Sequence, residues 1–436
     1  MNSHAEVHLW GRQIGAVTLA DASAAASFEY EPSFLASGIE VAPIEMPLAA
    51  GPVFRFPALA RESFSGLPGL LADSLPDRYG NALINAWLAT RGRRPKSFDA
   101  VERLSYVGQR GMGALEFRPA RGPKPSTSHK IDVEALVELA GEVLANREGL
   151  ATSLQREGRR EALREILRVG ASAGGARAKA LIAFDSGTEE VRSGQLEADA
   201  RFEYWILKFD GVEDGTRDLG NSRGYGVVEW VYSKLASRAG IEMSECRLLE
   251  EGGRSHFMTR RFDRGPSGTK IHMQSLAALA HLDFNQAGAH SYEQAFQTIR
   301  ELGLPHEASV QQFRRMVFNI VARNQDDHVK NIAFLMDRRG RWSLSPAFDV
   351  VYAHNPEGSQ TRWHQMSLGG KRDDFTVEDL RRVGELAALK RGQAEEILAE
   401  VTAAVEAWPQ LARDAGLDKP RIERIRRDHR LRLPKR

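Results

Sequence analysis

The chain has 436 residues, room for two or three domains at about 150 residues each, which excludes a single small adaptor module. Its 42% apolar, 8% aromatic and 27% charged residues are those of an ordinary globular protein, and no window approaches the roughly 18 apolar residues of a membrane span. Sixty Lys+Arg against 58 Asp+Glu leave a net charge of +2, too little for a general nucleic-acid binder, and the one cysteine, Cys246, excludes an intrachain disulfide and a multi-cysteine metal site. The start MNSHAEVHLW has neither a basic nor an apolar leader region, so the expected location is the cytoplasm, with no membrane contact.

Residues 1–118 carry short strand-like segments at VHLW (7–10), FEY (28–30) and ALEF (114–117) around one helical stretch near Arg78–Leu88, a β-rich α+β domain. RGPKPSTSHK at 121–130 breaks all periodicity and reads as a linker. Helical patterns follow at 133–147 and 160–169, then a glycine-rich break, GASAGG at 170–175. Strands are expected in KALIAFD (179–185) and EYWILKFD (203–210), a helix over Val227–Arg238, and a strand pair around CRLLE and SHFMTRRFDR. From about Met273 the pattern is mainly helical, interrupted by a hairpin at 331–345 that turns at Arg338–Gly340. The end, KPRIERIRRDHRLRLPKR, sets nine basic residues against Glu423 and Asp428 and reads as a solvated helix with a frayed tail, or as a contact for nucleic acid or an acidic partner.

The stretch from Ala322 to Val350 carries the chemistry. Asp326 precedes Asn331 by four intervening residues, the spacing by which a kinase catalytic loop sets a base carboxylate and a magnesium-binding amide on one turn. The hairpin then returns the chain to Asp349, a second oxygen ligand for a hard cation. Lys208, in an otherwise apolar strand, either faces solvent by strand alternation or neutralises nucleotide phosphates; Glu229 on the next helix either partners it or, as helix glutamates usually do, faces water. GASAGGARAK at 170–179 fits neither the Walker pattern nor G-x-G-x-x-G. Its small residues let backbone amides approach an anion, with Arg177 and Lys179 to neutralise it; the alternative is a helix C-cap with a turn.

GASAGGARAKALIAF, YWILKFD, the RRFDR of 260–264, NQDDHVKN and SPAFDV, in that order, together with FSGLPGLLADSLPDRYGNALI nearer the start, resemble HipA-type serine/threonine kinases, toxins of bacterial type II toxin–antitoxin pairs. The resemblance implies an α+β, protein-kinase-like two-lobed fold: a β-rich N-terminal subdomain (1–120), a small lobe (130–264) and a mainly helical large lobe (265–436). It implies Asp326 as catalytic base, Asn331 and Asp349 as Mg2+ ligands, and Lys208 as the phosphate lysine for ATP. His328, Val329 and Lys330, with Phe348, match ATP-contacting segments. Arg260, Arg261 and Phe262 match the adenine hinge, chiefly through backbone groups. Gly174, Gly175, Ala176, Arg177, Ala178 and Lys179 match the phosphate loop, with Ala178 where many relatives carry proline, and Ser172 matches an autophosphorylated serine. The implied partners are a small helix-turn-helix antitoxin, DNA indirectly through it, and a protein substrate from translation such as an aminoacyl-tRNA synthetase. Two rival readings are a small-molecule phosphotransferase and an inactive DNA-bound co-repressor subunit.

Overall fold

The computed structural model describes residues 3–21, 23–122, 131–144, 166–167, 177–194, 200–212, 223–358 and 360–436. Strands β1 (Ser3–Leu9), β2 (Arg12–Leu19), β3 (Ser27–Tyr30), β4 (Val53–Phe54) and β5 (Leu115–Arg118) form an antiparallel sheet in the order β4-β3-β2-β1-β5. Alternation along β1 sends Ala5, Val7 and Leu9 to one face, where they meet Val17, Phe28, Tyr30 and Phe117 in the first core. Helix α1 (Arg78–Thr90) falls where periodicity places it. A second helix, α2 (Ala100–Val107), was not anticipated, although Asp99 and Glu102 form a reciprocal capping box at its start, a signal present in the sequence. Helix α1 belongs to the N-terminal region in sequence, yet Tyr79, Leu83 and Ala86 on it join the same core as Ala180 and Ile182 of the next unit.

That unit follows α3 (Val133–Leu144). Its sheet, β7-β6-β8-β10-β9, is built from β6 (Lys179–Asp185), β7 (Glu190–Ser193), β8 (Glu203–Lys208), β9 (Cys246–Glu251) and β10 (Arg254–Arg260), all antiparallel. β6 is buried along its whole length, as its apolar run requires. Helix α4 (Tyr225–Arg238) crosses the sheet so closely at Gly226 that a Cβ there would lie 2.4 Å from the carbonyl oxygen of Ser255; only glycine permits this approach.

The remaining unit is mainly helical, as expected, with α5 (Tyr292–Glu301), α6 (His306–Ala322), α7 (Val377–Leu386), α8 (Gln393–Glu406), α9 (Trp408–Asp414) and α10 (Lys419–Asp428) around a core that includes Phe296, Phe313, Phe318 and Trp408. The expected hairpin forms as β12 (Ala333–Met336) and β13 (Trp342–Leu344). β12 also pairs with β11 (His272–Ser275), a strand the sequence does not announce, because HMQS has no alternation and gains its order from the partner strand. Trp342 Nε1 donates to the Glu40 carbonyl at 3.1 Å, and Met336 sits in the N-terminal core, so this hairpin joins the two units.

The C-terminal tail corrects the expectation of fraying. Ile422 and Ile425 are buried, the Arg430 N–H donates to the Val321 carbonyl at 2.8 Å, and the Val377 N–H donates to the Pro434 carbonyl at 2.8 Å. The basic residues flank an apolar stripe that docks, and the two backbone bonds hold the last residues of the chain against the helical unit. Among the described residues no helix is long and apolar enough to cross a membrane.

Candidate functional site

The site lies where the β7-β6-β8-β10-β9 sheet meets the helical unit. Lys208 closes β8, and two residues later the buried Asp210 accepts hydrogen bonds from the N–H groups of Gly224 and Gly226 at 3.0 and 3.3 Å. The end of the lysine strand thereby caps the start of α4 and sets Glu229, in its second turn, against Lys208. Lys208 Nζ lies 2.5 Å from Glu229 Oε1, so the helix glutamate faces the lysine and not water. The same ammonium pairs with Asp349. Burial disfavours its charge, but Asp349 and Glu229 outweigh burial and hold the pKa of Lys208 above its usual value. Burial likewise opposes the charge on Asp349, and Lys208, then Lys179, override it, so this carboxyl titrates below the ordinary range.

Asp349 is held by backbone at the lobe junction. Arg315 donates to the Ser345 carbonyl at 2.6 Å and the Ala347 N–H to the Glu242 carbonyl at 2.8 Å. Asp349 itself has φ 52°, a left-handed conformation that aspartate tolerates better than most residues and that turns its carboxylate to Lys208.

Helix α6 ends at Arg323, also left-handed with φ 57°, and the loop begins there. Asp326 and Asp327 then part ways. The side chain of Asp326 is 46% exposed and lies 3.8 Å from His328 Nε2. That of Asp327 is 1% exposed and accepts hydrogen bonds from the Tyr292 hydroxyl at 2.5 Å and the Gln365 N–H at 2.7 Å, with His364 Nδ1 at 2.8 Å. Asn331 Nδ2 donates to the Asp326 carbonyl at 2.8 Å, which leaves the amide oxygen as the group it can offer a ligand. A cavity of about 30 Å3 reaches Asn331, His328, Phe348 and Asp349.

The Phe262 and Phe348 rings, on the two sides of the junction, lie 5.5 Å apart and form an apolar wall. Arg260 and Arg261 point their side chains elsewhere, to Glu203 at 2.9 Å and to Asp263 at 2.7 Å. Their N–H groups are committed to the Glu245 and Tyr204 carbonyls, each at 2.8 Å, and the Arg260 carbonyl accepts from the Ser244 hydroxyl. Val329 is buried in the helical core, and Lys330 Nζ sits 4.4 Å over the Phe284 ring, so neither side chain is spent on the junction.

Of the proposed phosphate loop, Gly174, Gly175 and Ala176, together with Ser172, lie outside the described residues. Arg177 stacks its guanidinium 3.5 Å from the centroid of Tyr225 and lies 4.0 Å from Glu229. Ala178 is buried and accepts from the Phe209 N–H at 3.0 Å. Lys179, also buried, pairs with Asp77 at 3.0 Å, the residue whose side chain caps the start of α1.

Among the described residues no three His, Cys, Asp or Glu side chains form a ready-made metal cluster. One carboxylate and one amide oxygen, Asp349 and Asn331, do suit Mg2+, which keeps few protein ligands and fills its octahedron with water and phosphate oxygens.

Fold and site together define a two-lobed, protein-kinase-like α+β protein with a β-rich N-terminal domain. The family model described as HipA N-terminal domain matches residues 5–118 and that described as HipA-like C-terminal domain matches 171–408, and the chain belongs to the HipA family. The fold is similar to a solved Shewanella oneidensis MR-1 structure, described as a toxin–antitoxin system HipA, HipB and operator DNA complex. Identity is 16%, coverage 97% of this chain and 94% of that one, and the TM-score 0.67. The Helicobacter pylori proinflammatory kinase CtkA matches at 12% identity over 58% of this chain and 86% of that one, with a TM-score of 0.35. No curated protein sequence matches the chain.

Proposed function

We propose that the chain is an ATP- and Mg2+-dependent protein serine/threonine kinase and the toxin of a toxin–antitoxin pair. The observation that carries this reading is Lys208 held between Glu229 and Asp349, beside a loop that exposes Asp326 and ties Asn331 to it. A scaffold has no need of a buried lysine with two carboxylates next to an exposed one.

Asp349 and Asn331 would hold Mg2+, which would supply positive charge against the phosphates. Lys208, kept in place by Glu229, neutralises phosphate oxygens, and the wall of Phe262 and Phe348 receives the adenine. Asp326 accepts the proton of the attacking hydroxyl as the γ-phosphoryl group passes to it in line. Asp326 is exposed enough to meet a protein side chain, whereas Asp327 is sealed in. Arg177 and Lys179 add charge at the phosphate end.

On the strength of family membership we propose as partner a small helix-turn-helix antitoxin that brings the chain to DNA, and as target a component of translation such as an aminoacyl-tRNA synthetase. We further propose that Ser172 is autophosphorylated. A phosphate there adds about −1.5 to −2 charges to a loop meant to hold phosphates and switches the enzyme off. Intact-mass analysis and peptide mapping after incubation with Mg-ATP test this: active protein without phosphate on Ser172 sinks the idea.

Purified chain incubated with labelled ATP and a cell lysate tests the activity. Label on a protein band supports the kinase, whereas label confined to the small-molecule fraction favours a small-molecule phosphotransferase. No transfer, with antitoxin binding intact, favours a co-repressor subunit.

A further inference from the structure

Lys179 and Lys208 stand directly opposite each other in the pairing of β6 with β8. Directly opposed residues of an antiparallel pair share one face of the sheet, and like charges in that relation repel. The molecule gives each lysine a carboxylate from a different helix: Glu229 of α4 for Lys208, and Asp77, at the N-cap of α1, for Lys179. The Asp77 pair is deeply placed, with side chains 7% and 2% exposed and Nζ 3.0 Å from Oδ2.

Asp77 is oriented before it meets the lysine. Its Oδ1 accepts the Gly80 N–H at 2.7 Å, which fixes the carboxylate at the start of α1 and leaves Oδ2 for Lys179. Tyr79, Leu83 and Ala86 of that helix share one apolar core with Ala180 and Ile182 of β6. The lysine is close enough to Asp349 for its charge to help hold that carboxyl ionised, after Lys208.

We infer that Asp77 is a positioning residue of the nucleotide site, supplied by the N-terminal region to hold Lys179 as a second cation, beside Lys208, for the phosphates of a nucleoside triphosphate. This rests on the nucleotide site proposed above. The N-terminal region is then part of the binding machinery, and nucleotide affinity depends on how α1 is seated. A buried lysine that loses the carboxylate partner of this pair would turn away from the site; Asp77 holds Lys179 at the start of β6, opposite Lys208.

The test uses the full chain and measures Mg-ATP binding by calorimetry, KM and kcat for ATP in the labelling assay, and the melting temperature. Asp77→Asn keeps the helix cap, because asparagine caps as well as aspartate, and removes only the charge. It is expected to raise the Kd and KM for ATP about tenfold or more with a much smaller change in kcat, and Asp77→Glu is expected to regain most of the affinity. The double variant Asp77→Asn with Lys179→Met removes both charges, so it should recover the melting temperature while ATP binding stays weak. Recovery of both, or ATP binding by Asp77→Asn equal to wild type, overturns the inference and makes the pair a structural tie. Lys208→Met separates this from the parent reading: if it binds Mg-ATP as wild type does, or if wild type does not bind, the proposed nucleotide site falls and the inference with it. Weak binding in Lys208→Met beside normal binding in Asp77→Asn overturns the inference alone.

Discussion

Asp326 and Asp327 are neighbours in the chain and opposites in environment: one carboxylate is nearly half exposed, the other is enclosed by Tyr292, His364 and the Gln365 N–H. Burial alone would raise the pKa of Asp327, but His364 and the hydrogen bonds outweigh it and hold the carboxyl below the ordinary range. Asp326→Asn should therefore keep stability and nucleotide binding and abolish transfer. Asp327→Asn should cost about 2–4 kcal/mol of stability, since its partners stay buried, and retain appreciable activity in the folded fraction. Urea unfolding beside the labelling assay checks both, and reversed behaviour would move the base to Asp327.

Removing the metal carboxylate should uncouple Mg2+ from nucleotide binding. Wild type at about 100 times its Kd for Mg-ATP should gain roughly 2.7 kcal/mol. Asp349→Ala should lose the part of that gain that EDTA abolishes in wild type. Thermal unfolding with ATP alone and with Mg-ATP measures it; equal shifts in variant and wild type would place the ion elsewhere.

Seating of α4 on the sheet should control Lys208 at a distance. Gly226→Ala puts a methyl group where 2.4 Å separates it from the Ser255 carbonyl, so helix or strand must move. The expected cost is about 1–3 kcal/mol of stability, and ATP affinity should fall because Glu229, one turn on, shifts with the helix. A stable variant with unchanged affinity would show that the helix yields without carrying Glu229 away.

Acid should weaken the fold well above the carboxylate range. Burial holds His272 and His429 at a pKa of about 3, and His256 at about 4, although the neighbouring Asp210 pulls His256 upward. Their unfolded pKa is about 6.5, so between there and the folded values the unfolded chain binds more protons. Stability from these groups is complete above about pH 6.5 and is lost as pH falls through the folded values. Each contributes a slope of about 1.4 kcal/mol per pH unit once the pH is well below 6.5. Urea midpoints at pH 7.5, 6.5 and 5.5 should decline in that order, and His272→Phe should flatten the decline by about one proton; a flat profile in wild type would contradict the burial assignment.

Much of this protein is legible along the chain. Apolar runs and periodicity located β6, β8, α1 and α4, because local patterning encodes an element that buries one stripe or one face. The spacing from Asp326 to Asn331 and the hairpin leading to Asp349 marked the loop, because a turn and a hairpin are local geometry. What the chain did not reveal is which charges meet. Lys208 in a strand had a solvent-facing reading of equal merit, a helix glutamate such as Glu229 more ordinarily faces water, and only the cap that Asp210 places on α4 turns the two together. Asp77 lies 102 positions from Lys179, and nothing local in the chain links the two. Strand β11 and the docked tail were invisible for the same reason: their order comes from partners far away in sequence. Local sequence sets where helices and strands form through backbone preference and apolar period, but an ion pair depends on distance in space, and that distance exists only after the sheets and helices have packed.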